Sequence, residues 1–205
     1  MLTTRTLADL LQDFSAPSPT PGGGSASALS GAVGTALLAM VAGMTRTRHG
    51  SDEDRTALSQ ASPALLGLRD RLARLVDEDT AAYDAVVAAY RLPKGSDSEK
   101  AARKTAIREA VLTATTTPLD TVRACAEALG HASVVAAHGN PAAASDVKVA
   151  IGLLLAGLRG ARENVEINLD GLSDPEAAAN FRREGAELLV RAEGHASRAE
   201  AALRG

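Results

Sequence analysis

The segment Pro19-Thr-Pro-Gly-Gly-Gly-Ser-Ala-Ser-Ala28 decides how this chain folds. Its prolines and three consecutive glycines interrupt regular structure, and small residues then continue to Met44 as one long helix. The start of such a helix presents unpaired N–H groups and partial positive charge, which can bind an anion. The alternative is a plain helix entry at which glycine lets another helix pack closely. The glycines are not preceded by a hydrophobic strand or followed by Gly-Lys-Ser/Thr, which argues against a phosphate-binding P-loop.

The rest of the chain has the periodicity and stop signals of helices. We predict helices over about 4–14, 24–46, 52–91, 96–138, 141–169 and from 173 nearly to the C-terminus. Pro63 is expected to kink or restart the third helix, and Pro118 to bend the fourth. Asn140 is expected to cap the fifth helix, with Pro141 as its first residue. The prediction is an all-α fold, a single domain over 1–205 built as a bundle of long antiparallel helices.

The core of this bundle has to be built from small and aliphatic side chains. Aromatic residues make up only 2% of the chain, and there is no tryptophan. On the second helix Ser27, Gly31, Gly34 and Leu38 recur at helical spacing. They form a narrow seam against which a partner helix can come close.

Charge and composition exclude several classes of protein. The net charge of −3 argues against a nucleic-acid binder, which usually carries a basic face. The apolar stretch from Ala26 to Met44 is dominated by Ala, Gly, Ser and Thr, too weakly hydrophobic for a membrane span. Cys125 is the only cysteine, which excludes an internal disulfide and fits a reducing compartment. No apolar run follows Met1, so we expect no signal peptide and a cytoplasmic protein.

A carboxylate interrupts the apolar stripe of the third helix. The stripe consists of Leu65, Leu68, Leu72, Leu75, Val76, Asp79, Tyr83, Val86 and Tyr90. Asp79 is therefore expected on the buried face, whereas Asp77 and Glu78 project elsewhere. A desolvated carboxylate has a raised pKa unless a donor meets it.

The fifth helix repeats this pattern with a strip of small residues between polar ends. Asp146 shares one face with Asn164 and Asn168, and Ser145 and Lys148 flank it. The alternative for Asp146 is a first-turn acid that complements the helix dipole. His131 and His138 lie two turns apart without a third ligand, so no metal site is expected. No histidine stands at a readable spacing from Ser25 or Ser27 to activate a serine nucleophile.

Three segments in this order and spacing resemble one known family. They are Pro19-Thr-Pro-Gly-Gly-Gly-Ser25; Asp77-Glu-Asp-Thr-Ala-Ala-Tyr83 running on to Arg91-Leu-Pro-Lys94; and Gly139-Asn-Pro-Ala-Ala-Ala-Ser-Asp146 running on to Gly160-Ala-Arg-Glu-Asn-Val-Glu-Ile-Asn168. The chain is similar over nearly its full length to the cyclodeaminase domain of formiminotransferase-cyclodeaminase and to its stand-alone bacterial relatives. Some of those relatives act as methenyltetrahydrofolate cyclohydrolases.

The resemblance implies a dimeric helical bundle that acts on one-carbon tetrahydrofolates. The expected reaction is loss of ammonia from 5-formiminotetrahydrofolate to give 5,10-methenyltetrahydrofolate, or hydration of the methenyl compound to 10-formyltetrahydrofolate. Neither a metal nor a cofactor beyond the tetrahydrofolate substrate is expected. The alternative from another class is a non-catalytic helical scaffold, in which the polar motif residues serve only as caps and interhelical hydrogen bonds.

The same resemblance suggests roles for individual residues. Asp146 is expected to be the leading general acid/base, and Asp79 to stabilise the cationic methenyl group or act as a second acid/base. Residues expected to orient substrate amides are Asn140, Asn164 and Asn168. Candidates for holding the glutamate tail are Arg46, Arg48 and Lys94. Further expected substrate contacts are Gly22, Gly23, Gly24, Ser25, Tyr83 and Ser145.

Overall fold

A computed structural model describes residues 1–204, and it confirms the all-α prediction. The six helices are α1 (Leu7–Ser15), α2 (Gly23–Ala42), α3 (Asp52–Arg91), α4 (Asp97–His138), α5 (Ala144–Leu169) and α6 (Pro175–Ala202). Short 3₁₀ turns lie at Leu2–Thr4 and Pro141–Ala143. The described part of the chain contains no β-strand.

Most helix ends follow the predicted signals, but α1 begins at Leu7 and not near Thr4, which lies in a separate 3₁₀ turn. α2 ends at Ala42 and not near Arg46, and the Gly43 N–H closes its last turn on the carbonyl of Ala39. α3 continues through Pro63 as one helix and does not restart there, and the neighbouring Ala61 and Leu65 are buried in the core. The Asn140 side chain accepts from the N–H of Ala142, so it caps the 3₁₀ turn that leads into α5.

Four long helices form the core of the bundle. α2 packs between α3 and α5, α4 contacts both α3 and α5, and α6 covers α4. The largest fully buried side chains are aliphatic, and they include Leu38, Leu65, Leu72, Leu119, Leu129, Ile151, Leu154 and Leu158. The core is therefore built without aromatic residues, as the composition indicates.

α2 and α5 run antiparallel with their backbones in contact. A Cβ atom on Gly157 would lie 2.7 Å from the carbonyl oxygen of Ser27, and one on Gly34 would lie 2.8 Å from that of Ala150. The predicted small-residue seam is thus confirmed. These contacts also fix the register, because they bring the start of α2 beside the end of α5.

The loop between α2 and α3 is anchored by a buried carboxylate. Asp54 is only 1% exposed; it accepts from the His49 N–H at 2.6 Å and lies 2.9 Å from Nδ1 of His138. The hydrogen bond with His138 and those with His49 and Thr47 hold the pKa of Asp54 well below its usual range, although burial alone would raise it. This cluster joins the loop to the start of α3 and the end of α4.

Beyond Asp79, α3 and the first half of α4 extend past the start of α2 as a helical hairpin. The prediction that the buried stripe continues through Tyr83 and Tyr90 is wrong, since they are 42% and 53% exposed. The reason is that α2 begins opposite Asp79, so α2 does not cover the later turns of α3.

The expectation that the stretch from Ala26 to Met44 is too weakly hydrophobic for a membrane span is wrong by length and composition. Two helical segments, Gly23–Ala42 and Pro141–Leu169, are long and apolar enough to cross a membrane on that criterion. Both are central elements of the bundle, and part of each is buried inside it.

We expect Gly157→Ala to destabilise the fold by about 1–3 kcal/mol, since the new methyl group meets backbone atoms of α2 that cannot move aside. Gly67→Ala is the matched control, because Gly67 lies within α3 and faces open space. Alanine there should stabilise the helix by about 0.5–1 kcal/mol. Urea unfolding of both variants measures the difference, and equal stabilities would contradict the close contact.

Candidate active site

The first turn of α2 lies against the carboxylate of Asp79. Oδ2 of Asp79 is 3.0 Å from Oγ of Ser25, which is also 2.9 Å from the carbonyl oxygen of Val76. The single hydroxyl proton of Ser25 can be donated to either acceptor. Gly24 makes this approach possible, because a Cβ atom at that position would overlap the carboxylate.

Burial raises the pKa of Asp79, and the hydroxyl and backbone N–H of Ser25 oppose that increase. The positive end of the α2 dipole also favours the ionised form. Asp79 is therefore a desolvated carboxylate held by few donors, with a proton affinity above that of an exposed aspartate. Such groups are frequent in acid–base and cation-binding sites.

A small cavity of about 180 Å³ opens beside Asp79. Its lining residues are Pro19, Thr20, Gly22, Asp79, Ala82, Tyr83, Val86, Ala114 and Asn168. The Asn168 amide donates to the carbonyl of Ala114 at 2.6 Å, which fixes its position in the wall. The proline loop before α2 thus forms part of the cavity, a contribution of Pro19 and Thr20 that sequence analysis did not assign.

Asn164 lies next to the same helix start. Its Nδ2 donates to the carbonyl of Gly160 at 2.8 Å and would be 3.5 Å from a Cβ atom on Gly23. Of the predicted residues, the structure thus brings together Gly22, Gly23, Gly24, Ser25, Asp79, Tyr83, Asn164 and Asn168. We refer to this group as the Asp79 site.

The remaining predicted residues lie elsewhere, and most of them lie at the opposite end of α2 and α5. Asp146 is half-buried in the first turn of α5. It precedes Asn164 by 18 residues of continuous helix, about 27 Å at 1.5 Å per residue. Within one chain, Asp146 and Asp79 therefore do not meet. We call this region the Asp146 end, and it contains Asn140, Ser145, Asp146, Arg46 and Arg48.

Two residues of the Asp146 end have structural partners. The Arg48 N–H donates to the carbonyl of His138 at 2.9 Å, and its guanidinium donates to that of Ala136 at 3.1 Å. Nε of Arg48 is buried with no partner. Asn140 serves as a cap and its Nδ2 lies 3.7 Å from the sulfur of Met44, whereas Arg46 and Ser145 are exposed.

Lys94 lies in neither group. It is on the helical hairpin, where it lines a cavity of about 320 Å³ with Lys100, Arg103, Lys104 and Ile107. The three predicted tail-binding cations are thus divided between two regions. The sequence-based prediction of tail-binding residues did not include the cations of α4. Their spacing could have revealed them, because Lys100, Lys104 and Arg108 recur every four residues and so lie on one face of the helix.

The other acidic residues near Asp79 have different partners. Asp77 accepts from the Leu2 N–H and, at 2.7 Å, from the Thr3 hydroxyl. Glu78 pairs with Arg71 at 2.8 Å. The prediction that Asp77 and Glu78 project away from the core stripe is therefore confirmed. Within residues 1–204, no three His, Cys, Asp or Glu side chains are arranged to hold a metal ion.

The chain is similar to enzymes of known name over almost its full length. Residues 6–187 match the family described as formiminotransferase-cyclodeaminase. Methenyltetrahydrofolate cyclohydrolase of Methylorubrum extorquens is 41% identical, over 94% of this chain and 92% of that protein. Formimidoyltransferase-cyclodeaminase of Sus scrofa is 31% identical over 93% of this chain, which spans only 35% of that longer protein.

A solved structure gives the same result. The crystal structure of formiminotetrahydrofolate cyclodeaminase from Thermotoga maritima has a TM-score of 0.87 and 28% identity, covering 100% of this chain and 98% of its own. The sequence match and the shared fold agree with one another. The chain belongs to the formiminotransferase-cyclodeaminase family.

Proposed function

We propose that this protein is a methenyltetrahydrofolate cyclohydrolase, which hydrates 5,10-methenyltetrahydrofolate to 10-formyltetrahydrofolate. The observation that carries the proposal is the desolvated carboxylate of Asp79 at the wall of a cavity with amide side chains. The Methylorubrum extorquens enzyme of that name, 41% identical over nearly the whole of both chains, supports it.

The proposed reaction is a hydrolysis in which no electrons are gained or lost. The methenyl carbon belongs to an amidinium cation, which the Asp79 carboxylate stabilises electrostatically. As the oxygen of water bonds to this carbon, Asp79 accepts the proton of the water. The bond from the carbon to N5 then breaks, N5 takes up a proton, and the hydroxyl proton leaves as the formyl group forms, so one proton is released overall. A carboxylate with a raised pKa suits both proton transfers near neutral pH.

The substrate-binding roles in this proposal follow the location of each residue. Asn164 and Asn168 lie beside Asp79 and are suited to the amide groups of a pterin ring. The cations around Lys94 on the helical hairpin are suited to the carboxylates of the glutamate tail. The reaction needs water, a base and an acid, and we propose that it uses neither a metal nor a further cofactor.

The second candidate is the cyclodeaminase reaction, which the TM-score of 0.87 with the Thermotoga maritima enzyme supports. Ring closure and loss of ammonia give the same cationic product that the cyclohydrolase consumes. The Asp79 carboxylate would stabilise that cation in either direction. A non-catalytic scaffold accounts less well for Asp79, because burying a carboxylate with few donors disfavours folding.

The test is to mix purified protein with 5,10-methenyltetrahydrofolate at neutral pH and follow its near-ultraviolet absorbance. We expect decay faster than the buffer control, with 10-formyltetrahydrofolate as product. A parallel assay supplies 5-formiminotetrahydrofolate and measures ammonia. Activity only in the second assay would make the protein a cyclodeaminase, and inactivity in both would favour the scaffold.

We expect Asp79→Asn to lower turnover by about 10²–10⁴-fold, because the amide neither stabilises the cation nor accepts the proton. Asp84→Asn, on an exposed position of the same helix, should keep full activity.

The folded protein binds a proton at Asp79 more readily than the unfolded chain, so ionisation of Asp79 lowers stability as the pH rises through its raised pKa. The melting temperature of Asp79→Asn should therefore be no lower than that of the wild type at pH 7. Any excess of the variant's melting temperature over that of the wild type should become smaller at acid pH, where Asp79 is protonated. A large loss of melting temperature at pH 7 would contradict the unfavourable burial.

We expect Ser25→Ala to move the acid limb of the profile of kcat/KM against pH to higher pH. The serine hydroxyl and N–H lower the pKa of Asp79, so removing the hydroxyl raises the pH at which Asp79 ionises. Ser30→Ala is the control, because it removes a serine hydroxyl of the same helix that donates to the Leu153 carbonyl. An unmoved acid limb in Ser25→Ala would show that another group controls it.

A further inference from the structure

We propose that the hydroxyls of Ser25 and Thr80 form a relay that carries a proton from Asp79 to solvent. The proposal rests on the proposed function and deepens it, because the cyclohydrolase reaction releases one proton for each turnover. Asp79 receives the hydroxyl proton that is lost as the formyl group forms. It has to give that proton away before it can act as a base again.

Ser25 connects the carboxylate of Asp79 to a second hydroxyl. Oγ of Ser25 is 3.0 Å from Oδ2 of Asp79 and 3.2 Å from Oγ1 of Thr80. Ser25 is fully buried, whereas Thr80 is partly exposed. Thr80 is also not among the residues that line the cavity beside Asp79. The two hydroxyls therefore lead from the carboxylate toward solvent by a route that a substrate bound in the cavity leaves open.

Few charged or titratable groups face Asp79. The 20 residues of α2 include no charged side chain, and α4 and α5 contribute an alanine and an asparagine to the cavity wall. The adjacent acids of α3 have other partners, since Asp77 accepts from a threonine near the N-terminus and Glu78 pairs with an arginine. Among the described residues that line the cavity, Tyr83 is the only other one with a titratable side chain. The cavity thus holds no cationic side chain that would exchange protons with Asp79.

Each hydroxyl gains one proton and gives up one in the proposed transfer. The O–H bond of protonated Asp79 breaks as Oγ of Ser25 takes its proton. The former proton of Ser25 passes to Oγ1 of Thr80, and the former proton of Thr80 passes to water. Afterwards Ser25 donates to ionised Asp79, and Thr80 donates to Ser25. The hydroxyls return to their first orientation by rotation, and the Val76 carbonyl oxygen, 2.9 Å from Oγ of Ser25, accepts the serine proton on the way.

The same hydrogen bonds make Thr80 a positioning residue for Asp79. Burial raises the pKa of Asp79, and the hydroxyl of Ser25 lowers it. Hydrogen bonds in a chain polarise one another, so donation from Thr80 strengthens the bond from Ser25 to the ionised carboxylate. Thr80 therefore acts on Asp79 only through Ser25, and this dependence can be measured.

The first experiment is a double-mutant cycle on the two hydroxyls. Thr80→Val keeps the shape of the side chain, and we expect it to lower kcat by about tenfold, the equivalent of one hydrogen bond. It should also move the acid limb of the profile of kcat/KM against pH to higher pH. In chains that carry Ser25→Ala, Thr80→Val should have no further effect, because its connection to Asp79 is already broken. Additive effects, or unchanged kinetics in Thr80→Val alone, would overturn the relay.

Two further variants separate the hydroxyl from its surroundings. Thr80→Ser removes the methyl group but keeps the hydroxyl, and it should keep the wild-type kcat and pH profile. Thr56→Val is the control, because Thr56 is an exposed threonine of the same helix. It should also match the wild type. A loss in Thr80→Ser as large as that in Thr80→Val would assign the effect to packing of the methyl group and overturn the proposal.

Carbon-13 NMR of the Asp79 carboxyl group tests the arrangement without turnover. The resonance that is missing from Asp79→Asn identifies this group. Thr80→Val should raise the pKa read from its titration, and should leave that pKa unchanged in chains that already carry Ser25→Ala. If the wild type is inactive on both folates but this pattern is found, the proposed function fails and the hydroxyl arrangement stands. Wild-type activity together with a titration of Asp79 that Thr80→Val does not move would overturn the relay alone.

Discussion

The backbone contact between α2 and α5 is the constraint on which the rest of the structure depends. At Gly157 the carbonyl of Ser27 occupies the space that a side chain would need, and Gly34 receives the carbonyl of Ala150 in the same way. Side chains at these positions would push the helices apart and release their register. With the register fixed, the first turn of α2 stands between Asp79 on α3 and Asn164 on α5. The position of the polar site is thus a consequence of packing between uncharged residues.

Much of the fold could be predicted because its signals are local. Ser96 and Asp174 cap their helices through their own side chains, and the proline and glycine stops between helices are visible in sequence. Asp79 was recognised because it replaces an apolar residue at helical spacing, and its burial depends on that spacing. The small-residue seam of α2 followed from the same periodicity.

The features that could not be predicted depend on where each helix begins and ends relative to its neighbours. The periodicity of residues within one helix carries no information about that. Tyr83 and Tyr90 continue the stripe of α3 but have no α2 beside them, so their exposure follows from the starting point of another helix. Asp146 and Asn168 lie on the same face of α5 but are six helical turns apart. A shared helix face therefore does not place two residues in the same site. The partners of Asp54 are His49, in a loop, and His138, at the end of α4. His138 is far from Asp54 in the sequence, so no local pattern predicts this cluster.

The contact between Gly24 and Asp79 has a consequence for how such chains can diverge. Since any side chain at position 24 would occupy the space of the Asp79 carboxylate, the two positions cannot vary independently. A chain that acquires alanine at 24 must displace the acid or replace it by a smaller residue. Conversely, once the carboxylate is lost, the steric requirement for glycine at 24 disappears, and a better helix former is favoured there. Paired loss of Gly24 and Asp79 would therefore mark descendants that keep the bundle and have lost the chemistry that we propose for Asp79.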